Sequence, residues 1–296
     1  MCEKKFYNKN DFNMRKAGAD MDTKRILTIQ DISGVGQCSL TVALPIISVC
    51  GIETSVLPTA VLSTHTGGFT GFTFRDLTED IPSIQSHWQK ENITFDAIYT
   101  GYLGSKKQVE YVIDILKSMG NKNSVNIIDP AMADKGKLYT GFDQSFADTM
   151  KKLVPHADFL LPNITEACFL TDTPYNDNPD EAFIKEVMTK LYKMGAKTVI
   201  LTGEAFNKDK TGAVIYDGRE FLCYEHQRLA QSCHGTGDIY ASAFTGSLMR
   251  GKSVFESVKI AADFVVECIK ITIPDKNHTY GAKFEPVLYK LHDMLK

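Results

Sequence analysis

From Arg25 onward, short apolar runs rich in β-branched residues alternate with longer segments whose apolar residues recur at helical spacing. The strand-like runs are RILTIQ, SVLPTAV, FDAIYT, VNIID, DFLLP and KTVILTG. In the segment KKQVEYVIDILKSMG, which follows FDAIYT, the residues Val109, Val112 and Leu116 fall on one helical face that a sheet would cover. This alternation predicts an α/β fold with a central, mostly parallel sheet between two layers of helices.

After Thr211 the pattern changes to two alternating segments on either side of Asp217-Gly218, which predicts an antiparallel hairpin. Helices are then expected over residues 238–250 and 254–271, with Ser253 as the N-cap of the second, and over 284–295. Pro45 predicts a kink or a delayed start in the first helix. No linker rich in Pro, Gly or Ser interrupts residues 23–296, so we expect one domain there.

The composition narrows the classes of partner. The chain has 296 residues, 43% of them hydrophobic, which is enough for a large core and excludes disorder of the whole chain. Its 33 Lys and Arg against 36 Asp and Glu give a net charge of −3, which argues against nucleic acid or an anionic membrane as a partner. Residues 1–22 are polar without an apolar run, so we expect a flexible amino-terminal extension and no signal peptide or membrane span.

The seven cysteines include no Cys-x-x-Cys pair, which favours reduced thiols in a cytoplasmic setting over a disulfide framework or a zinc site.

The sharpest local motif is His234-Gly235-Thr236-Gly237-Asp238, directly before a helical run. Two glycines allow a tight turn whose unpaired amides form an anion site at a helix start. Asp238 is then placed to accept a proton from a hydroxyl group that attacks a phosphoryl group. The alternative is that Asp238 only caps the helix and the glycines only form a loop.

Other polar residues follow predicted strands. Asn163 and Glu166 share one helix face and could hold hydrated Mg²⁺, or they could form a helix cap. Asp129 ends VNIID, as metal or phosphate chemistry at a sheet edge requires. Thr202-Gly203 could contact a nucleotide phosphate or form a plain turn.

His65 and Tyr102 also lie on loops after strands, where they could line a pocket for a flat polar ring. Each has an ordinary alternative, as a hydrogen-bonded loop histidine and a half-buried packing tyrosine. The joint placement of all these residues at strand ends predicts one ligand site at the carboxyl edge of the sheet. No Walker-type phosphate loop is present.

The motifs IQDISGVGQCSL, LSTHTG, YTGYLGS, DPAMADKGKLY, LLPNITEACFLT and HGTGD, in this order, resemble the pyridoxal/pyridoxamine kinases of the ribokinase superfamily over residues 25–271. The resemblance implies a ribokinase-like three-layer α/β/α fold, a homodimer, and phosphorylation of the 5′-hydroxymethyl group of a vitamin B6 vitamer. It implies ATP and Mg²⁺ as cofactors, with a monovalent cation such as K⁺ as a further candidate.

The resemblance also implies roles for residues. Asp238 would be the catalytic base, with Gly235, Thr236 and Gly237 as the anion hole. The residues implied to bind ATP and its phosphates are Asp129, Tyr139, Asn163, Glu166, Thr202 and Gly203. Of these, Asp129 and Glu166 would also ligate the metal. The residues implied to bind the vitamer are Asp31, Ser33, His65 and Tyr102.

Three positions depart from the family pattern. Asp31 stands where many bacterial members have Ser, and a carboxylate there favours the ammonium group of pyridoxamine. Ala133 replaces a loop glycine. The related hydroxymethylpyrimidine kinase branch ends its loop in Gly-Thr-Gly-Cys, where this chain has Asp238. The alternatives are a hydroxymethylpyrimidine kinase of the same superfamily and a non-catalytic B6-binding protein.

Overall fold

The computed structural model describes residues 23–207, 209–229 and 233–296. The amino-terminal extension expected over residues 1–22 lies outside them. No helix in the described part of the chain is both long and apolar enough to cross a membrane.

The described residues form one nine-stranded sheet, whose strands are β1 (Arg25–Val35), β2 (Glu53–Thr64), β3 (Phe74–Asp76), β4 (Phe95–Thr100), β5 (Gly120–Ile128), β8 (Phe159–Leu160), β9 (Thr198–Thr202), β10 (Lys210–Tyr216) and β11 (Phe221–Gln227). These strands lie in the order β11-β10-β9-β8-β5-β4-β1-β2-β3. The six strands from β9 to β2 in this order are mutually parallel, whereas β3, β10 and β11 pair antiparallel to their neighbours. A separate two-stranded ribbon consists of β6 (Ala133–Asp134) and β7 (Lys137–Leu138).

Helices cover both faces of the sheet. One face packs against α2 (Ile81–Lys90), α3 (Lys106–Ser118), α4 (Gln144–Met150), α5 (Ile164–Leu170) and α6 (Glu181–Lys193). The other face packs against α1 (Leu40–Val49), α7 (Thr236–Met249), α8 (Val254–Thr272) and α9 (Leu288–Met294). Short 3₁₀ turns at Lys151–His156 and Glu285–Val287 precede a strand and the last helix. The predicted three-layer α/β/α fold is confirmed.

The central strands are apolar on both faces because each face has its own core. In β4, Ile98 belongs to the core under α3, while Ala97 and Tyr99 belong to the core under α7. Successive residues of a strand point to opposite faces, so a strand buried on both sides reads as a continuous apolar run. This is why FDAIYT and KTVILTG were recognisable in the sequence.

Several elements differ from the sequence prediction. The helix α6 and the short strand β3 were not predicted, and the last helix is divided into a 3₁₀ turn and α9. Pro45 lies inside α1 and does not delay its start. The hairpin around Asp217-Gly218 and the Ser253 cap both form as predicted, the latter as a full capping box with Glu256.

Candidate functional site

The candidate residues meet at the carboxyl edge of the parallel strands. His65 directly follows β2, Asp129 directly follows β5, and Tyr102 lies two residues beyond β4. Asn163, just beyond β8, forms an isolated parallel bridge with Thr202 at the end of β9. In open α/β sheets this edge is where ligands bind.

The turn at the start of α7 allows other atoms to approach its backbone closely. Gly235 is the N-cap and has φ 78°, and a Cβ there would collide with the carbonyl oxygen of Gln37. A Cβ on Gly237 would meet no atom within 4 Å, so this position faces open space. The N–H groups of Thr236, Gly237 and Asp238 donate to no carbonyl in the described residues, while the Thr236 hydroxyl donates to the Cys233 carbonyl at 3.1 Å. The turn therefore offers amides to an anion.

Asp238 does not cap α7, because that helix has no side-chain cap. Its side chain is only partly exposed, and desolvation raises the pKa of its carboxyl to about 7. The nearby Asp31 carboxylate acts in the same direction, and the backbone of Ser39 offsets part of the effect. A carboxyl that titrates near neutrality is suited to accept a proton during a reaction.

Asp129 and Glu166 are buried carboxylates in the same region. Burial raises the pKa of Asp129 well above its ordinary value, and the charge of Asp238 adds to this. Burial likewise raises the pKa of Glu166, with the charge of Asp129 adding to it. Asp129 is thus close enough to both Asp238 and Glu166 for their charges to interact, which makes a cation favourable beside it.

Asn163 and Glu166 form the capping arrangement that the sequence left as an alternative. The side-chain oxygen of Asn163 accepts the Glu166 N–H at 2.9 Å, and Glu166 accepts the Asn163 N–H at 2.9 Å. The other Glu166 oxygen accepts the Met132 N–H at 3.1 Å, and the Asn163 amide donates to the Ala133 carbonyl at 2.8 Å. The two residues thus tie the loop after β5 to α5.

The fit of Mg²⁺ therefore depends mainly on Asp129. Its side chain accepts no hydrogen bond from any described residue, whereas both Glu166 oxygens already accept backbone N–H groups. Within the described ranges no three His, Cys, Asp or Glu side chains are grouped to hold a metal on their own. Mg²⁺ commonly binds through one or two carboxylates together with substrate phosphates and water, and this donor set fits that mode.

Tyr139, Thr202 and Gly203 lie nearby but are partly engaged. The Tyr139 N–H donates to the Met132 carbonyl at 2.8 Å, and burial and the surrounding carboxylates raise the pKa of its phenol well above the ordinary value. The Thr202 hydroxyl donates to the Pro162 carbonyl at 3.3 Å, and the Gly203 N–H donates to the Gly212 carbonyl at 2.9 Å. The Gly203 bond continues the pairing of β9 with β10, and the Thr202 bond joins the end of β9 to the segment after β8, so neither is the bond of a local turn.

His65 is buried, and both of its ring nitrogens are used within the chain. Its Nδ1 accepts the Gly67 N–H at 3.1 Å, so the other nitrogen, Nε2, carries the proton and donates to the Tyr280 carbonyl at 2.7 Å. A ligand would then meet the ring of His65 and not a free nitrogen. Gly36 is required beside it, because a Cβ at that position, where φ is 109°, would collide with the imidazole.

Tyr102 and Asp31 are two further predicted site residues at the carboxyl edge of the sheet. The Tyr102 ring stacks on Phe142 with centroids 5.4 Å apart, and burial, together with the charges of Asp31 and Asp76, raises its pKa to about 12. Asp31 is buried and accepts the Ser33 hydroxyl at 2.8 Å, and burial raises its pKa.

Sequence reasoning missed two contacts of this site, Phe142 beside Tyr102 and Tyr280 beside His65. Both contacts join residues about 40 or more positions apart. Neither residue lies in a motif, so no local signal identified them.

Comparisons with known proteins place the chain in a family. The family model for phosphomethylpyrimidine kinase matches residues 44–287. The hydroxymethylpyrimidine/phosphomethylpyrimidine kinase of Bacillus subtilis is 30% identical over 220 residues, which cover 73% of this chain and 78% of that protein.

Similar solved structures include proteins assigned to the phosphomethylpyrimidine kinases and to the pyridoxal kinases. A Bacteroides thetaiotaomicron protein assigned to the phosphomethylpyrimidine kinases, crystallised with pyridoxal, is 37% identical, with a TM-score of 0.86 and coverage of 91% of this chain and 96% of that one. The pyridoxal kinase of Staphylococcus aureus in complex with ADP is 27% identical, with a TM-score of 0.72 and coverage of 84% and 88%. Because the family model spans most of the chain, the protein belongs to the phosphomethylpyrimidine kinase family of phosphotransferases, with pyridoxal kinases among its structural neighbours.

Proposed function

We propose that the protein transfers the γ-phosphate of ATP to the 5′-hydroxymethyl group of a vitamin B6 vitamer. The observation that carries this proposal is Asp238, a carboxyl with a pKa of about 7 beside the open amides of Thr236 and Gly237. A base and an anion site in one turn are what phosphoryl transfer to an alcohol requires.

In the proposed reaction the alcohol oxygen attacks the γ-phosphorus and its proton passes to Asp238. The bond between phosphorus and the oxygen of the leaving ADP breaks. The open amides of Thr236 and Gly237, together with the amide of Gly235, would stabilise the negative charge of the transferred group, aided by the positive end of α7. The ADP-bound structure of the Staphylococcus relative supports an adenine nucleotide as donor.

Mg²⁺, held by Asp129 with Glu166 behind it, would supply charge neutralisation at the phosphates. Asn163 and Glu166 would act mainly by fixing the loop that carries Asp129 and Tyr139, as their backbone bonds do in the structure. Thr202 and Gly203 would border the nucleotide. K⁺ is proposed as a further cofactor, and comparing the activity with and without this ion would test it.

The acceptor would lie against Tyr102 and the ring of His65, with Asp31 and Ser33 at its polar edge. The pyridoxal in the Bacteroides structure supports this substrate class, because that protein and this chain are similar over nearly their whole lengths. Asp31 would favour the ammonium group of pyridoxamine, since the cation would offset the cost of a buried carboxylate.

The second candidate is phosphorylation of hydroxymethylpyrimidine. The family model and the Bacillus relative favour it. Asp238 in place of the Gly-Thr-Gly-Cys ending of that branch favours the vitamer. A binding protein without turnover is disfavoured by the retained carboxyl groups.

The deciding experiment incubates the protein with ATP, Mg²⁺ and one acceptor at a time: pyridoxamine, pyridoxal, pyridoxine or hydroxymethylpyrimidine. Mass spectrometry of the products, with kcat/KM for each acceptor, then ranks them. We expect the three vitamers to exceed the pyrimidine, and pyridoxamine to lose its lead in Asp31→Asn. A pyrimidine preference would overturn the proposal. Light scattering of the same sample tests the proposed homodimer.

A further inference from the structure

Three aromatic rings form a continuous stack from the core to the acceptor side of the site. Phe142 lies between Tyr102 and Phe146, with ring centroids 5.4 Å and 3.9 Å away and interplanar angles of 23° and 10°. Phe146 is buried in α4, and Asp143 caps that helix by accepting the Phe146 N–H at 2.9 Å. The inner end of the stack is therefore fixed by a helix, and its outer end is Tyr102.

Phe142 also belongs to the loop that reaches the carboxylates. Its N–H donates to the Tyr139 carbonyl at 3.1 Å, and the Tyr139 phenol lies near Glu166 and Asp129. In the described residues, Phe142 is the aromatic ring paired with Tyr102. One face of the Tyr102 ring is thus covered by this chain, and a planar ligand would meet the other.

We propose that Phe142 is a positioning residue for the acceptor, holding the ring of Tyr102 in the orientation on which a flat aromatic substrate stacks. This inference rests on the proposed function only because it requires a planar acceptor. The vitamers and hydroxymethylpyrimidine are both planar. Ordering the ring in advance removes an entropy cost that would otherwise be met when the acceptor binds.

The expected signature is a change in acceptor binding alone. For Phe142→Leu we expect KM for the acceptor to rise about two- to tenfold, the range that one aromatic stack is worth. KM for ATP and kcat should change less than about twofold, because the leucine keeps the apolar contact with Phe146 and the backbone bond to Tyr139. Phe142→Tyr, which retains the ring, should restore the wild-type KM.

Phe221 provides a matched control. It stacks on Tyr216 with centroids 4.1 Å apart and an interplanar angle of 8°. Tyr216 pairs with Val199 near the beginning of β9, at the edge of the sheet opposite the site. Phe221→Leu therefore removes a phenylalanine–tyrosine stack that is closer than the one between Phe142 and Tyr102, without touching the acceptor side, and its KM values should match those of the wild type.

The test measures initial rates of the four proteins with ATP and their best acceptor, alongside melting curves. A selective rise in acceptor KM in Phe142→Leu supports the inference; unchanged values, equal rises for ATP and acceptor, or no rescue by Phe142→Tyr overturn it. If Phe142→Leu melts far below the wild type, Phe142→Met carries the same comparison. A wild type that phosphorylates no acceptor overturns the proposed function instead.

Discussion

Asp238 is held where its own ionisation is unfavourable, and this is the property that a proton acceptor needs near neutral pH. For Asp238→Asn we expect kcat to fall about 10²- to 10⁴-fold, the usual contribution of a general base. KM for ATP should stay within about threefold, because the amides of the α7 turn remain. Steady-state kinetics with ATP and the preferred vitamer checks this, and near-normal turnover in the variant would exclude the role.

The same carboxyl should cost stability at alkaline pH. Its pKa rises from about 3.9 in an unfolded chain to about 7 in the fold. Between these values the unfolded chain loses its proton first, so stability falls as pH rises, and the full cost is present above pH 7. We therefore expect Asp238→Asn to have a free energy of unfolding about 1–3 kcal/mol higher than wild type at pH 8, and so a higher melting temperature. The difference should vanish toward pH 3.5 in paired melting curves.

Single residues also show what the sequence leaves undecided. Asn163 and Glu166 have the spacing of a metal site and of a capping box alike, and only their reciprocal side-chain bonds to each other's N–H groups in the structure show the cap. The position of His65 after a strand was readable, but its link to Tyr280 joins residues 215 positions apart. Local patterns carry residue type and spacing, whereas such partners depend on the completed fold.

At the scale of the element, the turn at the start of α7 contains two glycines that differ in how much space a Cβ atom would have. Gly235→Ala places a Cβ against the Gln37 carbonyl at a positive φ, so we expect a loss of roughly 2 kcal/mol or more in unfolding free energy and loss of activity. Gly237→Ala meets open space, so its stability should equal or exceed that of wild type. Denaturant unfolding of both variants tests this, and equal destabilisation would show that the turn is not so constrained.

Elements were predictable where the pattern was strong. Ser253 begins α8 as expected because its hydroxyl and Glu256 satisfy the first amides of the helix reciprocally. The helix α6 was missed although the sequence carries its signal: Asp180 is a common type of cap, and the buried Ile184, Val187, Met188 and Leu191 recur at helical spacing. The short strand β3, with three exposed residues, had no apolar signal to detect.

At the scale of the whole molecule, the parallel sheet was predictable because its strands are buried on both faces, and with it the edge where the site lies. The strand order was not, since β5 pairs with β8 and β1 lies between β4 and β2. Those pairings depend on crossovers that put helices on alternate faces, and no local pattern encodes them.

Six parallel strands converge on the site, so a bound ligand should stabilise the entire fold and not one part of it. With a non-hydrolysable ATP analogue and Mg²⁺ at a hundred times Kd, we expect a gain of about 2.7 kcal/mol. For a chain of this size that corresponds to a rise of roughly 4–5 °C in one cooperative transition. Differential scanning calorimetry with and without the analogue measures it, with GMP as the control nucleotide. Two transitions, of which only one moves, would contradict the single domain expected over residues 23–296, because the linkage acts on whatever unit unfolds together with the site.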